Sequence, residues 1–326
     1  MTLDEYAKHT AKTYPVVWID GMPWRIERRV LAPLVPPHLV KPVDRSKVRR
    51  AMRETGPVLA RWNDAWDTAP GEWWWICADD PQYDVKNFEY AARRDVRAGL
   101  RRCEVKTVTL EWLAEHGYSV YAAKQEGHGV KQYKSREKWA AGVLEPANEG
   151  FDVWACFVKG ALAGYATCVR VEDAVYFSSM AWDHQYRNAL PSNALVYELT
   201  REYLVIQKCR YVTDGSRVIL HDTQFQEFLE KRGYRRIYCP LRVELSPLAA
   251  LAVGSGLARW GRYVGLDKLA PARLAQLQAA MRLVQVVRAR RTPAQAQPAA
   301  AQAQPARGRG AADDPAALGS EGDVDD

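Results

Sequence analysis

The stretch YRNALPSNALVYELTREYL, from Tyr186 to Leu204, gathers Asn188, Ser192 and Asn193 where an aromatic and aliphatic strand gives way to an apolar-periodic helix. A helix that starts at Ser192 leaves its first amide hydrogens unpaired and adds the positive end of its dipole, so this turn can hold an anion or a carbonyl oxygen. The same residues also read as ordinary capping, with Ser192 as the N-cap and the asparagines serving the turn. A second candidate is VTDGSR, Val212 to Arg217. There Asp214 ends a strand and precedes Gly and Ser, at the carboxyl edge of a sheet where α/β folds place ligands; the bland alternative is a turn cap. Lys231 and Arg232, just before Gly233, suit a phosphate or balance the negative end of a helix dipole.

Other residue types narrow the chemistry. The six histidines, at 9, 38, 116, 128, 184 and 221, have no metal-ligand spacing with cysteines or acidic neighbours, so no metal is expected. His184 precedes the polar turn and is the histidine to test as a base. Six cysteines stand without a CxxC pair, mostly beside apolar residues, and read as buried thiols of a reducing compartment without an activating neighbour. Arg93, Arg97 and Arg101 recur every four residues with Arg94 and Arg102 beside them, a basic helix face that an anion or plain solvent would answer. No GxSxG, Walker loop or dinucleotide fingerprint is present.

The elements that must position these residues follow from periodicity and turn signals. YPVVWIDGMPWRIERRVLAPLV carries two strand runs around Asp20 and Gly21, and GPVLARW and WWWICAD are further strands. NFEYAARRDVRAGLRR reads as a helix, CEVKTVT as a strand, and Leu110 to about Ala123 as a helix. A Gly, Lys and Gln-rich loop leads to DVWACFVKGALAGYATCVRVEDAVYFSSMAW, an antiparallel meander with turns at Lys159–Gly160 and Glu172–Asp173. A helix from Ser192 to about Lys208, the strand RYVTD, a helix from about Asp222 to Arg232 and the strand RRIYCPLRVEL complete the pattern.

Length and charge bound the remainder. At 326 residues with 48% hydrophobic content, the chain can bury a sizeable core. Its net charge is +7, and the segment from Ala289 holds four arginines against six acidic residues, so the preceding body is more basic still. That balance attracts phosphates, on a nucleic acid, a nucleotide-bearing donor or an anionic lipid. MTLDEYAKHT lacks a signal-peptide pattern and no stretch is long enough to span a bilayer, which gives a cytoplasmic expectation. Residues 247–291 read as a basic amphipathic helical extension, with Leu274, Leu277, Met281 and Val284 on one face, and 292–326 as a disordered tail.

The order of meander, polar turn, helix, strand, helix and closing strand is that of the GNAT acyltransferase core. With KGALAGYAT, YRNALPSNALVYEL, VTDGS and FLEKRGY, the sequence resembles the Fem-like branch of that superfamily, which includes the peptidoglycan-bridge aminoacyltransferases. Upstream, GPVLARW, WWWICADDPQYD and ARRDVRAGLRR resemble the preceding half of such proteins. The resemblance spans roughly Thr13 to Leu245.

It implies an α/β fold, a GNAT-like mixed sheet flanked by helices, with a reduced N-terminal half over 1–125 and an acyltransferase core over 126–246. It further implies an N-acyltransferase that moves an acyl or aminoacyl group from acyl-CoA or aminoacyl-tRNA to a small-molecule or peptide amine by direct attack. Asp214 would orient or deprotonate the amine, Tyr186 would protonate the leaving thiolate or ribose hydroxyl, and His184 is the further base candidate. Arg187, Asn188, Ser192, Asn193, Lys231 and Arg232 would face the donor. Arg187 matches a position that precedes two glycines in coenzyme-A-using members, while Leu190 and Ser192 stand at the glycine positions here. Two rival readings keep the fold. One is a non-catalytic protein that binds nucleic acid or an anionic surface, and the other is an enzyme whose Leu269–Arg291 helix lies on an anionic membrane.

Overall fold

The computed structural model describes residues 1–218, 224–254 and 271–289. His221, the tail over 292–326 and both ends of the expected Leu269–Arg291 helix lie outside the described residues.

Helix α1 (Leu3–Ala11) opens the chain, started by a Thr2–Glu5 capping box. Strands β1 (Val16–Ile19) and β2 (Met22–Glu27) form the hairpin that Asp20 and Gly21 encode, both with positive φ. β3 (Val30–Pro33), α2 (Arg45–Thr55) and β4 (Leu59–Asn63) follow. The late strand β12 (Leu241–Leu245) returns to pair with β4, giving a five-stranded sheet in the order β1-β2-β3-β4-β12. One face buries Trp24, Leu31, Val48, Met52 and Trp62 under α2.

The second sheet has seven strands in the order β11-β5-β10-β9-β8-β7-β6. These are β5 (Trp74–Ala78), β6 (Glu104–Val108), β7 (Asp152–Val158), β8 (Ala161–Val171), β9 (Ala174–Trp182), β10 (Tyr211–Ser216) and β11 (Arg235–Tyr238). On one face lie α3 (Tyr90–Arg102), α7 (Pro191–Arg201) and α8 (Phe225–Glu230), around Val96, Leu195, Leu199, Tyr203 and Leu229. The other face carries α4 (Leu110–His116), α5 (Tyr118–Gly127) and α6 (Arg136–Val143), around Leu113, Val120, Trp139 and Tyr165. Helices α9 (Pro247–Gly254) and α10 (Pro271–Ala289) complete the described chain.

The mixed sheets flanked by helices match the expected fold class, with four local corrections. The sheets do not divide at 125/126: β5 and β6 from the first part belong to the second sheet, and β12 belongs to the first. The single strand expected over Arg235–Leu245 is two strands in different sheets, broken at Cys239–Pro240 because proline cannot donate to the ladder. The loop expected after Ala123 contains α6, capped by the Ser135 side chain. Finally, α10 turns Ala280, Leu283, Val286 and Val287 toward Leu59 and Leu241 of the first sheet and Trp73 just ahead of β5. Its inward face is thus offset from the expected Met281 and Val284.

Candidate functional site at the splayed strands

β9 and β10 run parallel and pair only over Ala174–Tyr176 and Tyr211–Thr213, although β9 continues to Trp182. Two bulges open the sheet where pairing stops. On β9, Ser178 is the extra residue between the Thr167–Ser179 and Cys168–Phe177 pairs. On β10, Asp214 is the extra residue between the Thr213–Cys77 and Gly215–Ile76 pairs. A bulged residue leaves the ladder and its side chain is re-aimed, a device common beside active sites. The Thr213 hydroxyl fixes the second bulge, donating to the Ile76 carbonyl at 2.7 Å and accepting from the Gly215 amide at 2.9 Å. Gly215 itself takes φ +100, which side-chain-bearing residues rarely adopt.

Ser178 and Asp214 line a cavity between the strands of about 260 Å³, space open to solvent included, with Phe177, Met180, Trp182 and Phe225. Trp182 and Phe225 are shared with a second, wider cavity of about 490 Å³ that includes space open to solvent. Its walls include Asp95, Arg187, Ser192, Asn193 and Arg232. One aromatic partition thus separates a carboxylate compartment from a cationic one.

The cationic compartment is built at the start of α7. Leu190 takes φ +60 and precedes Pro191 at the first helical position. The amides of Asn193 and Ala194 turn back onto the Leu190 carbonyl at 3.1 and 3.3 Å. Ser192 is therefore inside the helix rather than its cap, and the helix tip offers fewer donors than a start at Ser192 implied. Gly99 of α3 permits this geometry: a Cβ there would stand 2.8 Å from the Leu190 carbonyl oxygen.

Arg232 is 4% exposed. Its Nε donates to Asn193 Oδ1 at 3.0 Å, a terminal nitrogen donates to the Phe228 carbonyl at 2.7 Å, and the guanidinium carbon lies 3.4 Å from the centroid of the Phe228 ring. Burial lowers its pKa to about 10, with Asp95 opposing. Asp95 is bonded to Arg94 at 2.8 Å. Among the described residues no carboxylate lies within ion-pair distance of Arg232, and Asp95, which acts on it at longer range, lines the same cavity.

The structure thus brings Asp214, Arg187, Ser192, Asn193 and Arg232 to adjoining cavities. It does not bring the others there. Tyr186 lines neither cavity, and its amide folds onto the Asp183 carbonyl at 3.1 Å. His184 also lines neither; its ring presses on Gly127, where a Cβ would lie 2.3 Å from Nε2. Asn188 is exposed and contributes its carbonyl to Arg102 at 2.6 Å. Lys231 is exposed at the end of α8, as a dipole-balancing role requires.

Sequence reasoning missed Lys124, whose amine donates to the Met180 carbonyl at 3.1 Å in the wall of the Asp214 cavity. Desolvation lowers its pKa to about 8, with Asp214 opposing. Nothing in AAKQEG marks it, because α5 meets β9 only in the fold. Cys103 also departs from expectation: a hydrogen bond from Cys156 lowers its pKa against burial, with a smaller contribution from Arg102. Its thiol donates to the Ala189 carbonyl at 3.3 Å and lines neither cavity.

Among the described residues, no group of three or more His, Cys, Asp or Glu side chains could hold a metal ion, and no helix is long and apolar enough to cross a membrane.

No protein-family model matches the chain, and no curated protein does either. Solved structures do. The C-terminal domain of an Agrobacterium fabrum protein described as a lysylphosphatidylglycerol synthetase aligns with a TM-score of 0.50 at 12% identity, over 78% of this chain and 98% of that one. FemX aligns with a TM-score of 0.50 at 9% identity, over 77% and 98%. At such identities the likeness speaks for architecture. The mixed, helix-flanked sheets share their fold with these two structures.

Proposed function

We propose that this protein is an N-acyltransferase, moving an acyl or aminoacyl group from an activated donor to an amine by direct attack. The observation that carries the reading is the pair of bulges at Ser178 and Asp214, which open a gap beside the buried Arg232. Asp214 would orient the acceptor amine and accept one of its hydrogens, since an amine attacks only as the free base. Arg232 and the Ser192 end of α7 would hold an anionic part of the donor, with Arg187 at the rim. Holding both reactants across the Trp182–Phe225 partition supplies proximity, and no covalent intermediate is needed.

Acyl-CoA and aminoacyl-tRNA both carry such an anionic part. The absence of glycines at Leu190 and Ser192 argues against the backbone wrap by which coenzyme A is ordinarily held, while the exposed Arg94, Arg97, Arg101 and Arg102 on α3 favour a larger polyanion nearby. Six free cysteines accord with a cytoplasmic setting.

Native mass spectrometry with acyl-CoA species and charged tRNA tests the reading. A complex lost in Arg232→Met supports it, and failure of both donors to bind overturns it. The α3 arginines also support a second reading, a protein that binds nucleic acid without chemistry. In that case RNA affinity falls steeply with salt and Asp214→Asn leaves it unchanged.

A further inference from the structure

Two thiols meet at the turn that starts α7. Cys103 ends α3 with its amide on the Gly99 carbonyl at 2.9 Å, and its Sγ donates to the Ala189 carbonyl at 3.3 Å. Cys156 stands in β7 opposite Val105, and its Sγ reaches the Pro191 carbonyl at 3.8 Å. The thiols therefore touch the peptide carbonyls on either side of Leu190, the residue with φ +60 at the head of α7. Cys103 is already extended, with φ −119 and ψ 143, and so continues the face of Val105 two residues on. That puts the two cysteines diagonally on one side of the β6–β7 ladder, and a hydrogen bond joins their side chains.

This pair differs from the other thiols. Of the six cysteines, all among the described residues, Cys103 is the one that is not buried, whereas Cys156 behind it is fully buried. Burial pushes the Cys77 and Cys168 thiols up, while the bond from Cys156 takes the Cys103 thiol down against burial, with Arg102 helping. A reachable thiol that ionises more readily, backed by a second thiol within contact, is the arrangement of a redox sensor and its resolving partner.

We propose that Cys103 and Cys156 form a reversible disulfide that loosens the start of α7 and so governs donor binding in the wider cavity. The consequence for donor binding rests on the acyltransferase reading above; the bond itself does not. The oxidant is a peroxide. The Cys103 thiolate attacks one peroxide oxygen, the O–O bond breaks, and a sulfenic acid and hydroxide result, the hydroxide taking up the proton that the thiol released. The Cys156 sulfur then attacks the Cys103 sulfur, the S–O bond breaks, and water leaves with the Cys156 proton. In sum, two thiols and one peroxide become one disulfide and two waters.

The effect on α7 follows from the contacts. A disulfide has no hydrogen to donate, so the Ala189 and Pro191 carbonyls lose their thiol partners. Bonded sulfurs also sit closer than hydrogen-bonded ones, so closure draws the end of α3 toward β7. α3 and α7 touch at this end: a Cβ on Gly99 would stand 2.8 Å from the Leu190 carbonyl oxygen and 3.2 Å from the Ala194 amide nitrogen. Movement there displaces Leu190, whose carbonyl holds the Asn193 and Ala194 amides and which lines the wider cavity with Ser192 and Asn193.

The bond is tested on the full chain with hydrogen peroxide, then iodoacetamide and peptide mapping. A peptide that joins Cys103 to Cys156, lost with dithiothreitol and absent in Cys103→Ser, is the expected result. Both thiols recovered as alkylated cysteines, or Cys103 carried to sulfinic acid without the cross-link, overturns the proposal. Should Cys103→Ser fail to fold, the wild-type map carries this test by itself.

The coupling is read by hydrogen exchange at the Asn193 and Ala194 amides, which should exchange about tenfold faster in the oxidised chain as the helix start opens. Donor affinity, measured by calorimetry with acetyl-CoA and with a charged tRNA, should fall about tenfold on oxidation of the wild type and stay unchanged in peroxide-treated Cys103→Ser. Unaltered exchange, or unaltered affinity for a donor that binds, overturns the switch with the transferase reading intact. Reduced protein that binds neither donor overturns the transferase reading instead, and the exchange result then decides the switch.

Discussion

The two sheets are built from similar residues and treat their backbones differently. In the five-stranded sheet, neighbouring strands pair in register without a bulge, and tryptophans fill the core, with Trp24 and Trp62 edge-on at 5.9 Å. In the seven-stranded sheet, β9 and β10 stop pairing partway, and each contributes a bulged residue at that point. Backbone groups freed from a ladder must find other partners, so such an opening persists only when surrounding structure holds it. Here the holders are Thr213, Gly215 and the aromatic partition. The contrast separates a sheet that stabilises from a sheet that also presents chemistry.

The contrast can be broken from either side. Trp24 is fully buried, so Trp24→Ala should cost about 3–5 kcal/mol in urea unfolding while leaving donor binding per folded molecule unchanged. In the second sheet the balance inverts. Arg232→Met keeps an apolar stem over Phe228, yet should weaken donor binding about a hundredfold, close to 3 kcal/mol by calorimetric titration. Thr213→Val preserves shape and leaves the Ile76 carbonyl and Gly215 amide without their side-chain partner, at about 1–3 kcal/mol, with a loss of turnover larger than the loss of stability.

The smallest effect is a pH dependence. Lys124 binds its proton less tightly when folded, near pH 8 against an ordinary 10.5, so the unfolded chain holds more protons between those values. Stability should therefore rise with pH across that window, and Lys124→Met should flatten the rise. Urea midpoints at a series of pH values check this.

The sequence made some of this plain. Asp20–Gly21 and Lys159–Gly160 announced their hairpins because the turn chemistry is local, and Thr2 with Glu5 spelled a capping box that an eye on composition passes over as a polar leader. Asp214 was legible as a carboxylate at a strand end, though not as a bulge, since the extra residue exists only relative to β5. Arg232 looked like a helix-end charge, and only its meeting with Asn193, 39 residues away, shows that it is buried. Lys124 had no local signal at all. Tyr186 and His184 were chosen for proximity along the chain to a polar turn, and neither lines a cavity.

The return of β12 to β4 has a practical bearing on anyone who would dissect the molecule. Cutting the chain near its middle would strip the larger sheet of β5 and β6 and leave Leu59, Ala60 and Trp62 on a raw edge, ready to pair with other chains. Separately expressed halves should be sticky and inactive, and should regain solubility only when co-expressed so that the exchanged strands can find each other.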